Sequence, residues 1–333
     1  MARPRLFLID AFGFIFRAYH ARARSGAPPM RSSAGLPTEA VYIFASMLRK
    51  LAAAYQPEMI AAVFESPGPT FREQEFADYK ANRPEMPPEL AQQIPYVKRL
   101  LEALRIPVLE CPGYEADDII GTLATRAPSQ GLEVAIVSSD KDMLQLVSSQ
   151  VAMLNPIQED LWYDPGKVEE KMGVKPAQVP DLLALKGDAS DNIPGAPGIG
   201  DKGARELITR FGSVEEALAR AARLRRRAYR ESLENNAEQI RLSKRLATIE
   251  TSVPVEFAPE ALRAQPPDVA AVRELYKELE FFSLLKELGP EQAAGPRDYR
   301  ALETAEELDE YLSSIPAGAA VAVVVAAGEA GLF

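Results

Sequence analysis

Val134-Ala135-Ile136-Val137-Ser138-Ser139-Asp140-Lys141-Asp142 is the stretch that decides the fold of this chain. Four apolar residues stop abruptly at two serines and an acid-base-acid triplet. A short apolar run bounded in this way reads as a strand buried on both faces, as strands of a parallel sheet are. Residues 6–9, 60–64 and 108–109 have the same character, and the first two also end in an acid, Asp10 and Glu65. Between these runs lie helical patterns. Residues 38–54 place Val41, Phe44, Ala45 and Leu48 on one face behind Thr38 as N-cap, and residues 94–104 repeat the spacing. Strand and helix in alternation predict a doubly wound, mostly parallel α/β sheet over residues 1–178. Ligands of such sheets bind outside the carboxyl ends of the strands. Three acidic ends on one edge would crowd carboxylates together without a compensating cation.

The composition limits how that crowding can be relieved. The 333 residues and 47% apolar content fill a sizeable core. A single cysteine, Cys111, excludes an internal disulfide and a multi-cysteine zinc site, and a single histidine, His20, argues against a histidine-rich metal centre. Cys111 reads as buried packing and His20 as a packing residue. Any metal must then be held by carboxylates. Residues 6–9 end too soon for a secretory signal and residues 317–327 are too few to span a bilayer, so a soluble, cytoplasmic protein with no membrane partner is expected. The net charge of −10 opposes a nucleic-acid partner only as a sum. The first 31 residues carry six arginines, and residues 220–245 carry nine basic side chains against three acidic ones. A solvated helix face would explain the second stretch equally well.

Beyond residue 178 the strand signal fades. A helical region is expected over residues 179–290, with a Gly/Pro-rich turn at 187–203, a long arginine-rich helix and a helix at 267–286. After Gly289 the character changes again: Pro296 marks a linker, residues 304–313 a short helix, and residues 319–325 an apolar run. Residues 291–333 read as a linker and the start of a further domain.

Three acidic constellations carry chemistry. Tyr-Glu-Ala-Asp-Asp-Ile-Ile-Gly at 114–121 would place Glu115 and Asp118 on one helical face beside Asp117. Acids in a first helical turn are ordinary taken alone, because they complement the helix dipole. Asp140 and Asp142 form the second group, and Gly187-Asp188-Ala189-Ser190-Asp191-Asn192 supplies the third. With Asp10 and Glu65 they make nine carboxylates. An all-oxygen site of this kind suits Mg²⁺ or Mn²⁺, and a pair of ions is a known clamp for phosphoryl displacement. The turn 193–200 leads into a helix at Asp201, and its glycines would let backbone amides approach a phosphate. Arg72, Lys80 and Arg83 follow the Glu65 strand end closely enough to steer phosphates, or else lie on an exposed connecting loop.

Phe-Arg-Ala-Tyr-His-Ala, Thr-Phe-Arg, Tyr-Lys-Ala-Asn-Arg-Pro, Glu-Ala-Asp-Asp-Ile-Ile-Gly-Thr-Leu, Asp-Lys-Asp-Met-Leu-Gln-Leu-Val and Gly-Asp-Ala-Ser-Asp-Asn-Ile-Pro-Gly together resemble the 5′-nuclease domain of bacterial DNA polymerase I, within the flap endonuclease family. The likeness runs over residues 5–287. It implies an α/β core at 1–178 with a mobile helical arch at about 70–95, and a DNA-binding subdomain at 179–290 built on a helix-three-turn-helix. It implies metal ligation by Asp10, Glu115, Asp117, Asp118, Asp140, Asp142, Asp188 and Asp191, directly or through water. Asp10, Glu65, Glu115, Asp117, Asp118, Arg72 and Lys80 would form the catalytic set. Arg17, Arg72, Lys80, Arg83, Gly195, Gly198, Ile199, Gly200 and Lys202 would meet DNA. The implied cofactors are two Mg²⁺ ions, replaceable by Mn²⁺, and K⁺ at the turn. The implied partners are DNA with 5′ flaps, nicks or RNA primers and a polymerase domain in the same longer chain, acting as a monomer. The reaction would leave a 5′-phosphate and a 3′-hydroxyl.

The sequence departs from the family pattern in two places. Glu65 stands where the family usually has Asp, moving a carboxylate by about 1.5 Å against a tolerance of ~0.5 Å in a preorganised site. Ala11 and Phe12 follow Asp10 where Gly and a small polar residue are common. Residues 291–333 resemble the opening of a proofreading-type exonuclease domain, but 321–327 lack its Asp and Glu, which implies an inactive remnant. Two other readings stay open: a binding module that has lost cleavage at Glu65, and a phosphatase using Asp140 and Asp142.

Overall fold

The computed structural model describes residues 4–25, 28–156, 161–289 and 304–315. Contacts divide the chain into two units, Met1–Leu288 and Gly289–Phe333.

In the first unit, six strands form one sheet: β1 (Arg5–Asp10), β2 (Met59–Val63), β3 (Val108–Leu109), β4 (Glu133–Val137), β5 (Val151–Asn155) and β6 (Leu161–Tyr163). Their order is β3-β2-β1-β4-β5-β6, parallel except for β6. The chain builds outward from β1 in one direction and then from β4 in the other. The crevice of such a sheet opens where that reversal occurs, at the carboxyl ends of β1 and β4. Asp10 and Asp140 stand there.

Alternation along each strand explains how the sheet buries both faces. Leu6, Leu8, Ala61, Val63, Val134 and Ile136 point to one side, where helices Ala116–Arg126 and Val179–Lys186 bring Ile119, Ile120, Leu123, Leu182 and Leu183. Phe7, Ile9, Ile60, Ala62, Ala135 and Val137 point to the other, against Val41, Phe44 and Leu48 of helix Glu39–Tyr55 and Val97, Leu100 and Leu101 of helix Ile94–Ala103. With both faces covered, the strands tolerate no alternation of polar residues, which is why they read as continuous apolar runs.

The structure amends several local expectations. β5 ends in Asn155 rather than an acid, and β6 is only three residues long although Asp164 follows it; both escaped the sequence reading. Thr38 precedes helix Glu39–Tyr55 but makes no side-chain cap; the buried Gln93 Oε1 instead accepts from Ala40 N at 2.8 Å. The expected helix at 267–286 is two, Val269–Glu278 and Phe282–Glu287, because Glu280 takes a left-handed conformation (φ 59°) between them. The arginine-rich stretch is likewise broken into Val214–Ala219, a 3-10 turn at Ala221–Arg223, Arg227–Asn235 and Ala237–Ala247. Apolar positions within it face inward at Val214, Ala217, Leu224, Leu233 and Ile240, so each piece is amphipathic and the arginines occupy outer surfaces.

Of the second unit, helix Ala305–Ser314 is described; its N-cap Thr304 accepts from Glu307 N at 3.2 Å, and Glu307 answers through Thr304 N. The expected linker at Pro296 and the apolar run 319–325 lie outside the described residues. Among the described residues no helix is long and apolar enough to cross a membrane.

Candidate active site

At the end of β1, Asp10 is held from two sides: its Oδ1 accepts from Gly13 N at 2.9 Å and its Oδ2 from Ser138 Oγ at 2.8 Å. Ser138 Oγ also receives Asp140 N at 3.0 Å, so the loop after β4 is folded around the Asp10 carboxylate. Burial lifts the Asp10 carboxyl above the usual range, partly offset by these two donors and reinforced by the charge of Asp140. A Cβ at position 13 would lie 2.2 Å from Asp10 Oδ2. Gly13→Ala is therefore expected to displace Asp10 and cut turnover by about a hundredfold, the loss typical of a 1 Å misplacement. The check is a rate measurement on protein of unchanged thermal midpoint, and a rate within threefold of the parent would show that Asp10 tolerates the push.

Asp117 and Asp142 share the crowding. Burial, then the charges of Asp140 and Asp10, raise the Asp117 carboxyl well above its ordinary value. Burial, followed by Asp140, pushes Asp142 up to about 8. Asp142 Oδ1 is buried with no hydrogen-bond partner, while its backbone N donates to Asp140 Oδ1 at 2.9 Å. Among the described residues its only ion-pair partner is Lys141 Nζ at 4.0 Å, so this buried oxygen keeps acceptor capacity that a cation could use. Lysines supply part of the missing charge. Lys141 Nζ lies 2.6 Å from Asp188 Oδ2, and with Ser190 it draws the Asp188 carboxyl below its usual value despite burial. Lys80 pairs with Glu115 and lies 3.9 Å from Asp191, and Arg83 lies 2.6 Å from Asp191 Oδ1. Tyr79, which sequence reasoning passed over, is buried with its hydroxyl directed at Glu115 Oε2 (3.1 Å) and Asp191 Oδ2 (3.3 Å).

Charge-charge interactions link eight of the nine expected acids: Asp117 feels Asp140, Asp10 and Glu115, Asp142 feels Asp140, Asp188 and Asp191, and Glu65 feels Glu115 and Asp10. Glu65 is exposed at the rim of the site, where burial of its surroundings and the charges of Glu115 and Asp10 raise its carboxyl while Lys80 and Arg83 lower it. Asp118 is the exception. It is fully buried, and its oxygens accept from Arg72 Nη1 and Nη2 (2.7 Å each), Glu115 N (3.1 Å) and Glu250 N (2.9 Å). A carboxylate offers about four acceptor sites, so none is left for a metal. Arg72, expected on a mobile arch in contact with DNA, is 2% exposed and points into the protein. The 70–95 segment is tied down further by Lys80 N to Asp191 O (3.0 Å) and Asn82 Nδ2 to Ala189 O (2.7 Å), because its basic residues find acids beneath them. Among the described residues no three acidic side chains converge with metal-ligand spacing. Lys141 pairs with Asp142 and Asp188 and Lys80 with Glu115 and Asp191, and the carboxylate-only donor set, with Asp142 Oδ1 free of hydrogen bonds, fits a hard divalent cation.

The glycine-rich turn divides into inward and outward residues. Gly195 is buried, its N donating to Ser243 Oγ (3.1 Å) and its O accepting from Gln239 Nε2 (2.8 Å), and Ile199 is buried in the core. Neither is placed to meet DNA. Gly198, Gly200 and Lys202 are exposed, with Gly200 at the N-cap of helix Asp201–Phe211. Arg17 lines an open recess with Asp10, Gly13, Ser139, Asp140 and Lys141, its Nη2 donating to Ser139 Oγ. Gly13, Ser138, Tyr79 and Lys141 complete the site. Of these, Tyr79 and Lys141 sat within motifs visible in the sequence, whereas nothing local marked Gly13. His20 is exposed, stacked on Phe16, and Cys111 is half-buried.

An open α/β sheet with carboxylates at its switch point and cations among them suits metal-assisted chemistry on an anionic substrate, and the comparisons with known proteins give the class, a nuclease. The particular family follows from the sequence models. The 5′-3′ exonuclease N-terminal resolvase-like domain matches residues 5–173 and the 5′-3′ exonuclease C-terminal SAM fold matches residues 174–270, and the chain belongs to this 5′-3′ exonuclease family. It is 40% identical over 286 residues to a 5′-3′ exonuclease of Aquifex aeolicus, covering 85% of this chain and 94% of that protein. It is 41% identical over 289 residues to DNA polymerase I of Bacillus caldotenax, covering 86% of this chain but 32% of the polymerase. The chain thus spans about a third of its polymerase relatives. The fold is shared with the T5 5′-exonuclease solved with divalent metal ions (zinc), at 22% identity and a TM-score of 0.62 over 83% of this chain and 98% of that one. The catalytic core of Rad2 in complex with a DNA substrate matches at 17% identity and a TM-score of 0.57, over 86% and 93%.

Proposed function

We propose that this chain is a divalent-metal-dependent 5′-3′ exonuclease and structure-specific 5′-flap endonuclease, acting as the N-terminal part of a DNA polymerase I in the cytoplasm. The observation that carries it is the acidic edge at the β1/β4 switch point, where Asp142 Oδ1 is buried without a hydrogen bond and has Lys141 Nζ 4.0 Å away. Asp10, Glu115, Asp117, Asp140, Asp142, Asp188 and Asp191 are the residues that would hold two Mg²⁺ ions, or Mn²⁺ in their place. Bound there, such ions supply an acidified water nucleophile and neutralise charge on the phosphoryl oxygens. Arg83, at the rim, and Lys80, mostly buried beside Glu115, exchange carboxylate partners for phosphate oxygens when a strand enters. Arg17 and Lys141 line the recess beside Asp10 and receive the same anionic backbone. Gly198, Gly200 and Lys202 grip the duplex without reading its sequence, with K⁺ at the turn, so selection is for shape: flaps, nicks and RNA-primed ends. Relatives of both kinds, a free-standing exonuclease and long polymerases, support the reaction class; the attached polymerase domain and the monomeric state are part of this reading.

The test is cleavage of a labelled 5′-flap duplex by the chain with Mg²⁺, Mn²⁺ or EDTA. Cutting that EDTA abolishes and Mn²⁺ sustains is expected, with 5′-phosphate and 3′-hydroxyl ends. Tight flap binding without cutting under any metal would replace this reading with the binding module. In the same assay Glu65→Asp should raise the rate by about tenfold, by restoring the shorter carboxylate at the rim. A slower Glu65→Asp enzyme would mean that the longer side chain is the fitted one here.

A further inference from the structure

The nuclease reading leaves Arg72 and Asp118 without the roles that their motifs suggested, and their hydrogen bonding assigns them another. Arginine has five N–H donors, and Arg72 uses each of them inside the protein. Nη1 donates to Asp118 Oδ2 (2.7 Å) and Glu115 Oε2 (3.2 Å), and Nη2 to Asp118 Oδ1 (2.7 Å) and Thr248 O (2.7 Å). Nε donates to Leu246 O (3.0 Å). Leu246 is in the last turn of helix Ala237–Ala247 and Thr248 is its C-cap, so the guanidinium satisfies carbonyls that the helix end leaves open. Asp118 is saturated in turn, and Glu250 N, just beyond the same helix, is one of its four donors.

Helix Ala237–Ala247 has a second set of partners. Its Ser243 and Gln239 hold both backbone groups of Gly195 in the glycine-rich turn. One helix therefore fastens the turn through its side chains and, at its end, the start of helix Ala116–Arg126, where Glu115 and Asp117 are carried.

We propose that Arg72 and Asp118 are a positioning pair for the reaction: they lock the Glu115–Asp117 segment to helix Ala237–Ala247, keeping the acidic edge in register with the duplex-gripping turn. Neither residue touches metal or phosphate. This inference rests on the nuclease reading, and the pair acts through the carboxylates it orients. Lysine cannot replace the arginine, since one ammonium cannot span two carboxylates and two carbonyls in the planes the fork fits.

The test uses the full chain in two measurements: Mn²⁺ binding by titration calorimetry in the absence of DNA, and steady-state 5′-flap cleavage with saturating Mg²⁺. Asp118→Asn and Arg72→Lys are expected to bind the same number of Mn²⁺ ions as the parent, about tenfold more weakly. Both should lose about a hundredfold in kcat with KM for the flap little changed. Loss of one Mn²⁺ equivalent in Asp118→Asn would make Asp118 a ligand and overturn the proposal. A raised KM with intact kcat in Arg72→Lys would make Arg72 a phosphate contact, and unchanged kcat in both would leave the pair merely structural; either overturns it. Where a single variant does not fold, Arg72→Met with Asp118→Leu removes both buried charges together, and it should fold with kcat still depressed. Full kcat in that double variant would also refute the pair's role. A parent that cuts nothing would defeat the nuclease reading on its own, and the Mn²⁺ count would still decide whether Asp118 is a ligand.

Discussion

Asp117→Asn is expected to abolish measurable flap cleavage, a loss of about a thousandfold or more, while leaving the metal-free protein at least as stable as the parent. The two effects have one cause. Asp117 is the acid most burdened by its neighbours, with burial and the charges of Asp140, Asp10 and Glu115 acting against its ionised form and Lys80 alone among its main partners favouring it. Removing its charge relieves that repulsion when no cation is present, so the fold gains. Removing a cation ligand forfeits several kcal/mol of transition-state stabilisation, and each 1.36 kcal/mol is a factor of ten in rate. Thermal midpoints of parent and variant in EDTA and in Mg²⁺, read beside cleavage rates, check both halves. A variant that cuts within tenfold of the parent would remove Asp117 from the metal-holding set.

Gly195→Ala is expected to be the most damaging substitution in the glycine-rich turn, lowering stability by about 2–5 kcal/mol through two independent penalties. The residue sits at φ 65°, where a side chain is strained, and its Cβ would lie 2.3 Å from Gly187 N and 2.6 Å from Gly187 Cα. Backbone cannot step aside as a flexible side chain would. Gly198 offers an internal control: at φ 76° it carries the conformational strain but nothing lies within 4 Å of its Cβ, so Gly198→Ala should lose only about 1–2 kcal/mol. Gly200, with ordinary backbone and open space around it, should lose less than about 1 kcal/mol on Ala, the cost of a poorer N-cap. Urea midpoints of the three variants give the ranking. Equal losses at 195 and 198 would show that the Gly187–Gly195 contact does not constrain the turn.

The same contrast between residues that look alike in sequence runs through the acidic site. Asp117 and Asp118 are adjacent and chemically identical, and only the capping box that pairs Asp118 with Glu115 separates them locally. In the fold one is half-buried among the charges of Asp140, Asp10 and Glu115 and the other turns inward to a guanidinium from residue 72 and a backbone amide from residue 250. Arg72 and Arg83, eleven positions apart and both read as phosphate contacts, part in the same way: one is among the largest fully buried side chains and the other stands at the rim. Gly195 and Gly198 follow suit.

By itself the sequence determined the sheet and the edge at which chemistry occurs. Strands buried on both faces must be apolar throughout, and a strand must end where charge begins, so Asp10, Glu65 and the triplet from Asp140 marked the carboxyl edge without any knowledge of contacts. Breaks in the helices at Leu224 and Glu280, the order of the strands and the placement of β5 and β6 carried no comparable local mark. Only the tertiary structure decided which acids share the crevice, which arginine faces inward, and which glycines bear against backbone. For Arg72 the deciding partners are 46 and 174 residues away in the chain, Asp118 and Leu246. A buried polar group is stable only when such partners satisfy it, and their arrival is a property of packing rather than of any neighbouring stretch of sequence.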